Sequence, residues 1–267
     1  MNFPRILKKR KGYIDRIKPF MQKSVVKVLT GQRRVGKSFL LYQLIEEILA
    51  KEPDANIIYV NLEDFTFSSL QTAEDLHSYI ISHSKEKAKN YIFIDEIQDI
   101  PGFEKVIRSL LLNEDNDIYI TGSNAKMLSG ELATYLSGRY IEFKIYSLSY
   151  SEFLEFHGLT ESETSYELYS RYGGLPYLLN LPLEDEYLKS VYSTIVFRDV
   201  VSRYKLRNTL FLEKLIQFLS ENIGNLFSAK NISDYLKSQH TTISVNQIQS
   251  YTEYLNNAFL IHRVERY

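Results

Sequence analysis

In the first half of the chain the apolar residues fall into short runs that alternate or are rich in β-branched and aromatic side chains. Ser24–Thr30, Asn56–Asn61, Tyr91–Ile94, Asp117–Thr121 and Tyr140–Tyr146 are five such runs, and each predicts a strand. The first meets a glycine-bounded loop, after which Phe39, Leu40, Leu41, Leu44, Ile45, Ile48 and Leu49 recur at helical spacing. Phe103, Val106, Ile107, Leu110 and Leu111 make a second helical face opened by Pro101-Gly102, and Ala125–Ser137 predicts another helix. Strands that alternate with helices imply a parallel sheet in an α/β core.

After Ser149, a candidate N-cap, the pattern changes to helices alone: Ser151–Phe156, Ser165–Tyr172 and a long stretch Glu184–Arg203. Three more follow at Leu210–Asn222, Ser228–Lys237 and Val245–Asn257, and the apolar run Phe259–Val264 reads as a strand. Three helices and then a strand is the order of a winged helix-turn-helix. The expected partition is an α/β core with a basic N-terminal segment at 1–146, a helical lid at 147–207 and a small winged-helix domain at 208–267. Because the chain stops where the wing's first strand should turn back, the natural protein is expected to continue past Tyr267.

Charge adds a local feature to a neutral whole. Lys and Arg total 32 against 33 Asp and Glu, yet residues 1–27 hold nine basic side chains against the single acid Asp15. The cluster Lys8-Lys9-Arg10-Lys11 is therefore the strongest electrostatic candidate for a polyanion, or else a solvated segment beside a nucleotide base. Cysteine is absent, which excludes a disulfide framework and a thiolate metal site. No apolar stretch approaches the ~18 residues of a membrane span, and no secretory h-region follows the basic run, so no membrane partner and a cytoplasmic location are expected.

Gly31-Gln-Arg-Arg-Val-Gly36-Lys37-Ser38 fits the phosphate-loop pattern G-x-x-x-x-G-K-S/T, and it lies between a strand and a helix, the context that makes this pattern specific. The glycines let the backbone amides of Gln32, Arg33, Arg34 and Val35 curl round a β-phosphate at the positive end of the following helix, with Phe39 a further candidate contact. Lys37 would reach the β- and γ-phosphates and the Ser38 hydroxyl would ligate Mg²⁺. Asp95 and Glu96 end an apolar strand, where Asp95 could hold Mg²⁺ and Glu96 could polarise the attacking water. Nothing like an N-K-x-D guanine reader follows the fourth strand, so ATP or ADP is the expected nucleotide, and an ATPase the expected enzyme.

With Asp95-Glu-Ile-Gln98, Thr121-Gly-Ser-Asn124, Ser137-Gly-Arg-Tyr140 and Tyr172-Gly-Gly-Leu-Pro176 added to the phosphate loop, the chain resembles the AAA+ superfamily, in its prokaryotic branch related to origin-recognition and STAND-type ATPases. The resemblance covers essentially the whole chain and implies a molecular switch on a five-stranded parallel sheet, often joined to a C-terminal nuclease-like effector domain. It implies that Ser123 and Asn124 form a sensor of the γ-phosphate, that Arg139 is an arginine finger aimed at a neighbouring subunit in an oligomer, and that Pro176 packs on the nucleotide from the lid. It also suggests that Asn61 holds Glu96 through a hydrogen bond. Arg198 and Arg203 are alternative lid contacts.

Duplex DNA is a candidate partner through the terminal domain. Its recognition-helix segment Val245–Asn257, however, has no Lys or Arg, and Asn208–Tyr267 balances five basic residues with five acids. Phosphate contacts need cations, so a protein partner or an effector domain is the competing expectation, and base-edge reading would fall to Asn246, Gln247, Gln249 and Asn256. The alternative to a hydrolysing switch is a nucleotide-gated scaffold with negligible turnover. A motor helicase, suggested by the Asp95-Glu96-x-Gln98 string, would need two such cores in tandem.

Overall fold

The structure, a computed structural model, describes residues 8–125, 135–136, 138–238 and 243–264. The helix expected at Ala125–Ser137 falls almost wholly outside the described residues. Five strands form one sheet: Val26–Thr30 (β1), Asn56–Asn61 (β2), Asn90–Asp95 (β3), Asn116–Gly122 (β4) and Tyr140–Lys144 (β5). Their order is β2-β3-β4-β1-β5, and each of the four pairings is parallel. All five expected strands are present, with ends shifted by a few residues.

Helix Lys11–Ile17 (α1) precedes β1, and Lys37–Leu49 (α2), Ala73–His83 (α3) and Phe103–Leu110 (α4) join the strands. Strand alternation gives the sheet two unlike faces. Val26, Val28, Ile58, Val60, Ile92, Ile94, Ile118 and Ile120 point to one side and pack with Leu76 and Ile80 of α3 and Phe103, Val106, Ile107 and Leu110 of α4 in an aliphatic core. The intervening positions carry Tyr59, Tyr91, Phe93 and Tyr119, with Phe93 and Tyr119 stacked at 4.4 Å and Tyr59 against Tyr42 of α2. Asp95 and Thr121 continue this second face toward the carboxyl edge of the sheet, since side chains two apart share a face.

The same face holds a buried ion pair at the opposite edge. Lys27 of β1 and Asp117 of β4 are both fully buried and joined directly, while Tyr119 Oη donates to Asp117 at 2.8 Å and the Gln22 backbone N–H at 2.8 Å. Burial pushes the Lys27 ammonium below its ordinary range, opposed by Asp117. The ammonium also lies 4.4 Å from the Tyr119 ring centroid.

Beyond β5 the structure is helical: Tyr150–His157 (α5), Glu163–Tyr172 (α6), Glu184–Thr194 (α7), Thr209–Glu221 (α8), Ala229–Ser238 (α9) and Val245–Asn257 (α10). α5, α6 and α10 each begin with a reciprocal capping box, at Ser149/Glu152, Ser162/Ser165 and Ser244/Gln247, which explains why their starts are sharp. The long helix expected at Glu184–Arg203 is α7 running on as a wider π-helical turn at Ile195–Ser202. The chain divides into two compact units, Met1–Leu188 and Lys189–Tyr267, each described here by itself.

The strand expected at Phe259–Val264 is not formed; residues 259–264 have no strand structure. Phe259 takes a left-handed conformation at φ 55°, and the N–H groups of Phe259 and Leu260 bond the carbonyls of Asn256 and Leu255. This is the 6→1 and 5→2 pattern that closes a helix. Ala258 and Phe259 are buried in doing so, so the apolar residues there serve the end of α10 and not a ladder. Among the described residues no helix is long and apolar enough to cross a membrane.

Removing one partner of the Lys27–Asp117 pair leaves an uncompensated buried charge, at a cost of about 3–5 kcal/mol. Lys27→Met should therefore lower stability by that order in urea unfolding, and the double variant Lys27→Met/Asp117→Leu should recover most of the loss.

Candidate functional site

The loop after β1 is shaped by a close approach. Ile145 N–H donates to Thr30 O at 2.7 Å, and a Cβ on Gly31 would run into the Ile145 carbonyl oxygen, so the first residue of the loop must be glycine. Arg34 and Gly36 adopt positive φ, 68° and 95°, on either side of Val35. Such an alternation curls successive amides toward one point, and α2 starts at Lys37 with its free N–H groups directed there.

Lys37 is buried and its ammonium donates to the carbonyls of Gly31 and Gln32, both at 3.1 Å, with Glu96 Oε1 at 3.4 Å. The strand order makes that last contact possible, because β4 alone separates β1 from β3. Asp95 ends β3, buried, and accepts from the Thr121 hydroxyl, from Ser38 and, at 3.4 Å, from Tyr59 Oη. Burial pushes the Asp95 carboxyl up, opposed by the Ser38 and Thr121 hydroxyls.

Glu96 takes a left-handed conformation at φ 55°, and its backbone N–H donates to Thr121 Oγ1 at 2.9 Å. Its side chain accepts from Gln98 Nε2 at 2.6 Å. Burial alone would raise the Glu96 carboxyl, but Lys37, Gln98, Arg33 and Ser123 outweigh it and bring it down to about 2. Arg33 itself pairs with Glu63 at 2.9 Å in the loop after β2. The Ser123 hydroxyl, buried and without an aligned hydrogen bond, faces the Glu96 carboxylate, and Asn124 is buried next to it.

Asn61 lies beside Asp95 in register, yet its Oδ1 accepts from the Glu63 N–H at 3.0 Å. The expected Asn61–Glu96 bond is not formed; the Glu96 carboxylate takes Gln98 Nε2 and the Lys37 ammonium as its partners. Pro176 comes to the phosphate loop: its Cγ is 3.8 Å from where a Gly36 Cβ would stand. Gly174 makes that possible, since it is pressed on Leu148, whose N–H donates to the Gly174 carbonyl at 2.7 Å, and a side chain there would clash with the Leu148 backbone. Phe39 stays 47% exposed, edge-on to Tyr42.

Arg139 is not brought to this site. It is exposed and precedes β5, where its carbonyl accepts from Val26 N–H at the start of β1. Five strand residues at about 3.3 Å each put it roughly 16 Å from the loop of its own chain. Thr121 and Gln98, by contrast, were present in the quoted motifs without a role. Thr121 continues the Asp117, Tyr119 face of β4, so its strand period pointed to Asp95; Gln98 stands two residues from the carboxylate it holds.

The model of an AAA domain matches residues 23–154, the segment that carries β1 to β5, the loop and both acids. Residues 23–154 belong to the AAA domain family. A second model, a domain of unknown function (DUF8612), matches 163–267. An uncharacterized protein of Haemophilus influenzae is 37% identical over 97% of this chain and 66% of its own length. The uncharacterized protein MJ1544 of Methanocaldococcus jannaschii is 33% identical over 88% of this chain and 55% of its own. The chain thus spans a little over half to about two thirds of the curated relatives it matches. Among solved structures, the Aeropyrum pernix ORC1 protein in complex with DNA aligns with 96% of this chain and 85% of its own at 15% identity and a TM-score of 0.46.

Among the described residues of the AAA domain, Thr121 is the one side chain that bonds both Asp95 and the Glu96 backbone. Thr121→Val should cost about 1–3 kcal/mol in denaturant unfolding, because the buried Asp95 carboxylate loses one of its donors and the buried Glu96 N–H loses its acceptor. Thr121→Ser, which keeps the hydroxyl, should recover most of that.

Proposed function

We propose that this protein binds ATP with Mg²⁺ at residues 31–38 and hydrolyses it slowly to ADP and phosphate, as an AAA+/STAND-like switch. The observation that carries the reading is the meeting of Lys37, Ser38, Asp95 and Glu96 at one end of the sheet, with Lys37 and Glu96 3.4 Å apart. A carboxylate and a hydroxyl already in contact, Asp95 and Ser38, are the hard oxygen pair that suits Mg²⁺, which commonly takes only one or two protein ligands and completes its shell with phosphate and water. When bound, the ion would neutralise charge on the β- and γ-phosphates.

The chain's own groups would divide the remaining work. Lys37 would leave the Gly31 and Gln32 carbonyls for the phosphates, the loop amides would cradle them, and Asn124 with Ser123 would meet the γ-phosphate. Glu96 would orient the attacking water. Arg139, too far from its own loop, would serve a neighbouring subunit if the chain assembles, and Pro176 would report nucleotide to a lid at 147–207. For the region 208–267, whose α10 presents Asn246, Gln247, Gln249 and Glu253 to solvent without a cation, a protein partner or effector domain fits better than duplex DNA.

One observation favours the slower alternative, a nucleotide-gated scaffold. A carboxylate held near 2 by Lys37 and Gln98 is a weak base, so turnover depends on Lys37 being drawn away. Steady-state hydrolysis with Mg²⁺ and a parallel binding assay separate the two. A hydrolysing switch loses binding in Lys37→Ala, and in Glu96→Gln keeps binding while turnover falls about 100-fold or more. Added duplex DNA should leave the rate unchanged. ATP binding with no turnover in the wild type, indifferent to Glu96→Gln, would replace the enzyme with the scaffold; no binding at all would end both.

A further inference from the structure

Within the cluster Lys8-Lys9-Arg10-Lys11, Arg10 alone is not solvated. Arg10 is only 3% exposed, and each of its five guanidinium N–H groups has an acceptor. Nε and Nη2 form a fork on the Glu152 carboxylate at 2.9 and 2.8 Å; Nη2 also reaches Ser147 O at 3.4 Å; Nη1 donates to Tyr146 O at 2.8 Å and to Val35 O at 3.2 Å. The Tyr13 ring lies beneath the guanidinium at 4.5 Å, and its hydroxyl accepts from the Tyr146 N–H at 3.0 Å. Gln43 of α2 fixes the backbone on either side, accepting from Arg10 N–H and donating to Lys8 O, both at 3.0 Å.

The contact with Val35 bears on the phosphate loop. A peptide is planar, with C=O and N–H pointing opposite ways, so an anchored Val35 carbonyl turns the Gly36 N–H away from Arg10. Glycine accepts either sign of φ and Gly36 sits at +95°, so the motif by itself leaves this plane loosely held. A hydrogen bond from outside the motif narrows that freedom. Arg10 supplies it and also holds the carbonyls of Tyr146 and Ser147 on the way into α5, together with Glu152, which closes the α5 capping box.

We propose that Arg10 is a positioning residue for phosphate binding: it sets the Val35–Gly36 peptide so that the Gly36 N–H faces the phosphate position, and it ties that setting to the seating of α5. The proposal rests on residues 31–38 being a phosphate site. Any movement of α5 that draws on Glu152 pulls on the same guanidinium and changes the cradle. Lysine cannot substitute, since a point ammonium has three donors and no planar fork.

The test compares wild type, Arg10→Lys and Glu152→Gln for ADP and inorganic pyrophosphate binding by calorimetry, for melting temperature, and for amide hydrogen exchange. Arg10→Lys should melt within about 5 °C of wild type yet bind both ligands about tenfold or more weakly. Exchange should rise together in the segments 31–38 and 146–152 while β3 and β4 stay protected. Glu152→Gln should move the same readouts in the same direction by less, and serves if Arg10→Lys fails to fold. Affinity within roughly twofold of wild type and unchanged exchange at 31–38 would overturn the proposal. If the wild type binds neither ligand, the nucleotide reading fails, and exchange still decides: a coupled rise supports the Arg10 tie, while a rise confined to 146–152, or none, refutes it.

Discussion

In a parallel sheet every strand delivers its carboxyl end to one edge, and everything else in the AAA domain follows from that constraint. β1 and β3 are far apart in sequence but separated in space by β4 alone. The loop after β1 and the acids after β3 therefore meet, with Thr121 at the end of β4 standing between them. One hydroxyl can then serve Asp95 and the Glu96 backbone at once. The cation of the loop and the carboxylate that follows β3 meet because only β4 stands between their two strands.

What could be read along the chain and what could not differ in range. The strands were legible because each is a short run rich in apolar, β-branched and aromatic residues, as in Tyr91-Ile-Phe-Ile, and such a run can be read without knowledge of neighbours. The phosphate loop was legible because its eight residues are contiguous and its glycines have local conformational reasons. Glu96's surroundings were not, since Asn61 and Gln98 are both plausible donors by type, and only the folded position of each amide decides which one reaches the carboxylate. Phe259–Val264 misled for a related reason: an apolar run suits a strand or a helix end equally, and a strand also needs a ladder partner.

Arg10 is the clearest case of hidden meaning. In composition it is one of four consecutive cations, and such runs are normally solvated faces. Its carboxylate partner is 142 residues away and its carbonyl partners 25, 136 and 137 away. No periodicity or spacing rule links these positions. Burial of a charge becomes visible only when the fold supplies acceptors for all its donors at once.

The buried Lys27–Asp117 pair works as an alignment gauge. If β1 slid past β4 by one residue, the side-chain period would carry the Lys27 ammonium into the aliphatic layer and away from its carboxylate, so the slipped pairing is excluded by charge as well as by shape. One step along a strand is about 3.3 Å, comparable to a hydrogen-bond length. The pair at the far edge thereby fixes the height at which the phosphate loop meets Thr121 and the acids, and the fit of the nucleotide end is calibrated by a contact that never touches it.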